Sequence, residues 1–295
     1  MVQKSINVTF LGTGCDYGYP NREPTSILIE RGVDRILLDC CPGILRQLTA
    51  VHREPQEIQI VFISHMHPGH FLGFPSLVFG NLPKGRKETL KVIVPEKKKE
   101  KILQMLEWCL EGIAGKGIME IPTKPFLIEI EEGLNDRFKQ FKLGEDIILT
   151  TAPMQHGCDC LGCSIEFKSQ EMKIAYSGDT IYSENMIKLA KNATLLIHEA
   201  SFEDAAREWA HARWHTTVKE AAKIAKKADV KILALVHPHW TRYNRINIQS
   251  VFVEEAKMIF EGEVIFPNDL DKIDLLSYRT IPYSYQNELE EDKRI

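Results

Sequence analysis

Ser64-His65-Met66-His67-Pro68-Gly69-His70 is the stretch on which the reading of this chain turns. It follows the apolar run 58–63 directly and sets three imidazoles within six residues on a tight turn. Neutral imidazoles crowded in this way suit a divalent transition metal. An isolated H-x-H would read as surface or core histidines, but the third imidazole and the strand immediately before it favour metal ligation. The remaining ligands must come from elsewhere in the chain. Candidates at strand ends are His156 after 150–153, Asp179 after 175–178 and His237 after 233–236, each weak alone because Asp and His are common there.

Outward from that turn the first part of the chain is a series of short β-rich runs, 6–11, 26–30, 36–39 and 58–63. Each ends where something unusual begins: Gly12 and Gly14, Asp39 with Pro42-Gly43, His65 with Gly69. Strand ends therefore deliver polar or flexible residues to one edge. Apolar spacing fits amphipathic helices over 44–51 and 95–110, the latter through Ile102, Leu103, Leu106 and Leu110. The charge run 97–101 reads as the solvated start of that helix. Runs at 147–151, 164–167, 173–177, 195–198 and 232–236, with a helix around 218–227, repeat the theme. Two β-rich halves, each followed by helices, predict an α/β fold of two face-to-face sheets with helices outside. The domain spans 1–278, and the polar, charged residues 279–295 read as a tail.

With 44% hydrophobic and 26% charged residues, the 295-residue chain buries a large core, which excludes disorder for the bulk. Thirty-seven Lys and Arg against 41 Asp and Glu give a net charge of −4, so no global basic field draws nucleic acid or anionic membrane. An anionic substrate must be held locally. The longest weakly charged stretch, 58–82, contains the three histidines with several Gly and Pro and is no bilayer span. Residues 1–10 carry Lys4 and alternate like a strand, unlike a signal peptide, so the expected compartment is the cytoplasm. Seven Cys, two of them adjacent at 40 and 41, point to reduced thiols or metal ligation rather than to structural bridges.

Taken in order, the motifs resemble the metallo-β-lactamase superfamily and, within it, the ribonuclease Z-like phosphodiesterases. The match begins with Phe10-Leu11-Gly12-Thr13-Gly14 and Leu37-Leu38-Asp39-Cys40 and includes the histidine turn. It continues through His156, Tyr176-Ser177-Gly178-Asp179-Thr180, His198-Glu199-Ala200-Ser201-Phe202, His215-Thr216-Thr217 and Leu235-Val236-His237. The resemblance implies a four-layer αβ/βα sandwich with a binuclear site at one edge, usually zinc, with manganese or iron as alternatives. By that analogy the first metal takes His65, His67 and His156, Asp179 bridges, and the second takes His70 and His237. Asp39 would orient ligands from behind. Glu199 would orient His215, which gives a proton to the leaving oxygen. The resemblance also implies a homodimer and a phosphodiester substrate, in RNA, DNA or a nucleotide-like molecule. The competing readings are a hydrolase of another ester or amide, and a non-catalytic homologue that binds metal or nucleic acid. A further alternative is that His198 and Glu199 only satisfy buried polar groups.

The chain departs from the family pattern H-x-H-x-D-H at Gly69, which stands where a ligating Asp is usual. The second metal is then loosely held, or another group replaces the carboxylate, or activity is lost. A candidate replacement is the stretch Cys158-Asp159-Cys160-Leu161-Gly162-Cys163, which could equally form a separate metal site, a redox-sensitive cluster, or free and packed thiols. The long tRNA-gripping arm of tRNA-processing relatives, inserted between the positions of His156 and Asp179, is absent. The segment 78–144, with Lys84, Arg86, Lys87 and Lys91, is partly basic in a way ordinary for exposed loops, and would be the place of recognition only if tRNA were processed accurately.

Overall fold

Apolar alternation along the short runs builds two sheets whose inner faces meet. The computed structural model describes residues 5–17, 21–80, 88–111, 128–242 and 247–283. In the first sheet β1 (Ile6–Gly12), β2 (Ser26–Arg31) and β3 (Asp34–Leu38) pair antiparallel, and β4 (Ile60–Phe62), β5 (Leu90–Val94) and β6 (Ile128–Glu132) continue in parallel. The second sheet runs antiparallel through β7 (Lys139–Leu143), β8 (Ile147–Met154), β9 (Cys160–Phe167) and β10 (Met172–Tyr176). It then turns parallel through β11 (Leu195–Glu199), β12 (Ile232–Val236) and β13 (Glu263–Ile265). The chain returns to the first sheet, where β14 (Lys272–Asp274) pairs with β1 and β15 (Arg279–Ile281) pairs with β14. The sheet thus runs on past Tyr278 into residues read from the sequence as tail; 284–295 lie outside the described residues.

The period of two sorts the side chains into layers. Ile6, Val8 and Phe10 of β1 meet Leu161, Cys163, Ile165 and Phe167 of β9 in the core between the sheets. Leu11 and its counterparts Leu28 and Leu37 face outward, under α1 (Ile44–Ala50), α3 (Gly73–Phe79) and α4 (Lys99–Leu110). In α4 Ile102 and Leu106 are buried whereas Leu103 is exposed, and the helix starts within the 97–101 charge run. The outer face of the second sheet packs α5 (Glu184–Ala190), α7 (Val218–Ala228) and α8 (Ile248–Lys257). Helix, sheet, sheet and helix make the four-layer sandwich that the motif order implies. Among the described residues no helix is long and apolar enough to cross a membrane.

Two local devices aim the polar loops. Thr217 caps α7 in a reciprocal box with Glu220, which fixes where the helix starts and sets His215 just before it. Phe62 meets Tyr176 edge-on across the sheets, with ring centroids 6.5 Å apart, so the ends of β4 and β10 are held together beneath the histidine turn.

Candidate metal centre and active site

Strand ends from both sheets meet at one edge of the sandwich. After β4 the chain passes through His65 and His67 into α2 (Pro68–Phe71), a single turn that carries His70. Pro68 stands at its first position, where a missing N–H leaves no bond unmade. His156 follows β8, Asp179 follows β10, Glu199 ends β11 and His237 follows β12. Gly178 is left-handed at φ 57°, and a Cβ there would stand 2.8 Å from that of Ser64, so glycine lets this loop close on the histidine turn. Asp39 and His237 also hold left-handed backbones, at φ 56° and 60°. Such conformations in residues with side chains concentrate where a fold positions functional groups.

The ligand atoms of His65, His67, His156 and Asp179 lie within 4.8 Å of one another, and so do those of Asp16, His70 and His237. Asp179 stands between the groups: its Oδ2 is 3.7 Å from His65 Nε2, 3.6 Å from His70 Nε2 and 3.3 Å from His237 Nε2. His156 Nε2 faces His67 Nδ1 at 3.2 Å. Nε2 of His65, His70 and His237 and both oxygens of Asp179 are buried without a hydrogen-bond partner. Buried polar atoms are nearly always paired, and unpaired nitrogens and oxygens converging on one place are the donor set of a divalent cation. The residues present therefore fit a metal.

The far nitrogens of the same rings are held. His65 Nδ1 meets Ser64 Oγ at 2.9 Å, His70 Nδ1 donates to Asp39 Oδ2 at 2.6 Å, and His156 Nδ1 donates to the Trp214 carbonyl at 3.0 Å. Such bonds fix the tautomer and aim the free nitrogen. Asp39, fully buried, also accepts from the Ser64 N–H and hydroxyl and from the Tyr176 hydroxyl, at 2.6, 2.7 and 2.6 Å. Burial, reinforced by the neighbouring imidazoles, pushes His65 and His237 well below the usual histidine range, towards the neutral form that binds metal. At His70 burial acts the same way, but the charges of Asp179, Asp39 and Asp16 overcome it and raise the ring to about 10. Burial, opposed by His70, pushes the Asp179 carboxyl up to about 7.

Beside the ligands His215 Nδ1 donates to Glu199, at 3.0 and 3.1 Å from its two oxygens. Glu199 is buried and also accepts from the Thr180 N–H at 2.7 Å and the Ser201 hydroxyl at 3.0 Å. Burial would lower His215, but Glu199 raises it to about 9. With Nδ1 committed to Glu199, Nε2 is the nitrogen left to meet a substrate. His198 is fully buried and spends its Nδ1 on the Glu199 carbonyl at 2.7 Å.

The stretch after His156 does not fill the place left by Gly69. Asp159 pairs with Lys98 at 2.6 Å, and the Cys158 sulfur stands 3.9 Å from His67 Nε2, the nitrogen turned away from His156. Cys160 and Cys163 are buried, their thiols pushed well up by burial, with Cys163 in the core between the sheets. None of the seven cysteines forms a disulfide. The residue that reaches the turn is Asp16, from the loop after β1, a group the sequence reading passed over. Its one signal is position, since it too follows a strand that ends in glycine. Of the basic residues named in 78–144, Lys84, Arg86 and Lys87 lie outside the described residues.

The family described as Anti-Pycsar protein Apyc1 matches residues 6–259, which takes in every residue of the His/Asp cluster and the His215–Glu199 pair. The chain belongs to the Apyc1 family. It is also 30% identical to the Ribonuclease Z of Methanothermobacter thermautotrophicus, over 95% of this chain and 100% of that one. With the Ribonuclease Z of Archaeoglobus fulgidus the identity is 27%, over 88% and 95%. Among solved structures, the metallo-β-lactamase fold protein YhfI of Bacillus subtilis superposes with a TM-score of 0.74 at 21% identity, covering 92% of this chain and 99% of that one. Human tRNase Z, short form, superposes at 0.73 and 24%, covering 91% and 99%. This Apyc1 family member is thus a metallo-β-lactamase-fold, ribonuclease Z-like protein, as its motif order implies.

Proposed function

We propose that this Apyc1 family member is a metal-dependent hydrolase that cleaves phosphodiester bonds in nucleotide-like molecules. The observation that carries the reading is the His215–Glu199 pair beside the ligand cluster. An alkoxide leaves poorly unless it is protonated, and a histidine held by a buried carboxylate is built to give that proton. A thiolate leaves readily without such a proton, so thioester hydrolysis has no comparable need.

His65, His67 and His156 would hold one metal, His70 and His237 the other, with Asp179 shared. Divalent cations bound there would lower the pKa of a water and polarise the phosphoryl oxygens. Asp39 keeps the His70 ring aimed, and His215 protonates the departing oxygen through Nε2. Zinc suits the histidine and carboxylate set, with manganese or iron as alternatives. A homodimer accompanies the reading on resemblance alone, and the cytoplasm stays the expected compartment.

Three exposed aromatics support a base-bearing substrate. Trp214 adjoins His156, Tyr17 adjoins Asp16, and Trp240 packs 5.7 Å from Tyr17. Nucleobases stack on such side chains. Between His156 and Asp179 the chain makes only β9, β10 and the short turn that joins them, which supports a small diester over a folded tRNA. Cyclic mononucleotides are the smallest molecules of that kind, and the role named in the family's description, acting against Pycsar, is carried over to this chain with the reading.

The test is a turnover panel with zinc or manganese supplied: cyclic mononucleotides, bis-p-nitrophenyl phosphate, precursor tRNA, a lactam and a thioester. The reading expects the small diesters to be hydrolysed fastest. Faster lactam or thioester cleavage would overturn it, and accurate tRNA processing would move the substrate to RNA.

A further inference from the structure

The turn 64–70 lacks a carboxylate at Gly69, yet a carboxylate stands against that glycine from a distant part of the chain. The Gly69 N–H donates to Asp16 Oδ1 at 3.1 Å. The same Oδ1 is 3.6 Å from His70 Nε2, and Asp16 Oδ2 is 3.7 Å from His67 Nδ1. A Cβ on Gly69 would run into Asp16 Oδ1 and come within 2.8 Å of the Asp16 Cα and 3.0 Å of Pro24 Cβ. The glycine and the aspartate are therefore two halves of one arrangement: the missing side chain makes the room that the loop uses.

We propose that Asp16 is a ligand of the second metal, supplying from the loop after β1 the carboxylate that position 69 lacks. The proposal rests on the metal-dependent reading given above. Two ligand atoms about 2.1 Å from a tetrahedral ion stand about 3.4 Å apart. The contacts His70 Nε2 to Asp16 Oδ1 at 3.6 Å, His70 Nε2 to Asp179 Oδ2 at 3.6 Å and His237 Nε2 to Asp179 Oδ2 at 3.3 Å are edges of that size. The unpaired buried nitrogens of His70 and His237 face the same place. Asp16 would add a second carboxylate to a pair of cations that otherwise share the single charge of Asp179.

The loop is braced for the task. Asp269 accepts from the Thr13 N–H and hydroxyl at 2.9 and 2.6 Å and from the Glu23 N–H at 2.6 Å, so it pins the chain on both sides of Asp16. Gly14 N–H donates to the Glu23 carbonyl at 2.8 Å, closing the neck of the loop. The Thr13 carbonyl accepts from the His237 N–H at 2.8 Å, so that neck is tied to a ligand of the same metal.

The test is metal binding, read separately from activity. Wild-type protein, Asp16→Asn and Asp159→Asn are stripped with chelator, dialysed against graded free zinc and analysed for zinc per chain. Wild type and Asp159→Asn are expected to fill two sites. Asp16→Asn keeps an oxygen to accept from Gly69 and loses the charge, so the second site should weaken by about 10- to 100-fold or more while the first is kept. An unchanged apoprotein melting temperature in the variant checks that the loop still folds. Two sites of wild-type affinity in Asp16→Asn would overturn the assignment, and so would a wild type that binds one zinc at saturation. Diester turnover by wild type, measured on the same sample, reports on the enzymatic reading independently.

Discussion

His215 donates through Nδ1 to both oxygens of Glu199, at 3.0 and 3.1 Å, on the rim of the ligand cluster. If the pair serves proton transfer, His215→Ala should slow hydrolysis of a diester with an alkoxide leaving group by about 10²- to 10⁴-fold. The loss on bis-p-nitrophenyl phosphate, whose leaving group needs no acid, should be much smaller, with metal content unchanged. Equal losses on both substrates would make His215 structural.

Gly69→Asp is expected to harm the protein. From the sequence the substitution restores the family's carboxylate and should raise second-metal occupancy; in the structure the new Cβ meets the Asp16 side chain and, at 2.8 Å, its Cα. Overpacking of this kind costs about 1–3 kcal/mol, and here it also sets two carboxylates against each other. Urea denaturation should show a lowered midpoint, and zinc analysis no gain in occupancy. A stable variant with tighter second-site binding would show that the Asp16 loop gives way freely.

Asp39→Asn replaces an acceptor that serves Ser64, His70 and Tyr176, two of them through hydroxyls and one through a ring N–H. An amide has one accepting oxygen where Asp39 uses two, so serving the Ser64 N–H through it turns the amide nitrogen onto the His70 ring and spoils its aim. Metal affinity at the second site should drop by about 10- to 100-fold in an equilibrium titration. Unaltered affinity would mean that the turn itself aims His70.

The histidine turn and most of the strands that carry the site were legible because both are local signals: apolar alternation over a few residues, then imidazoles at fixed spacing. His156, Asp179 and His237 are single residues at strand ends, so motif order rather than spacing pointed to them. Asp16 was illegible for a physical reason. Its place depends on Asp269 holding Thr13 across 256 residues of sequence, and no local pattern encodes such a contact. The strands Ile128–Glu132 and Lys139–Leu143 were missed because they lie at sheet edges, are short and are rich in charged residues. Arg279–Ile281, polar and exposed, looked like tail for the same reason.

Asp269 also gives a pH signature. Burial pushes its carboxyl up to about 6, above the usual aspartate value, although three hydrogen bonds oppose the shift. The folded protein therefore holds this proton more tightly than the unfolded chain does. Stability from this group is full below about pH 4 and is lost as pH rises through about 6, beyond which it is flat. Urea unfolding of wild type minus that of Asp269→Asn should show this downward step across the window. A difference that rises or stays level with pH would contradict it.

The most direct measurement is metal-free turnover followed by titration. Protein stripped with chelator and shown to be folded is assayed on a small phosphodiester, then given zinc or manganese in steps. The account predicts no hydrolysis without metal and activity that climbs to a plateau near two equivalents per chain. Hydrolysis that persists in the stripped protein, or none at any metal concentration, would contradict it.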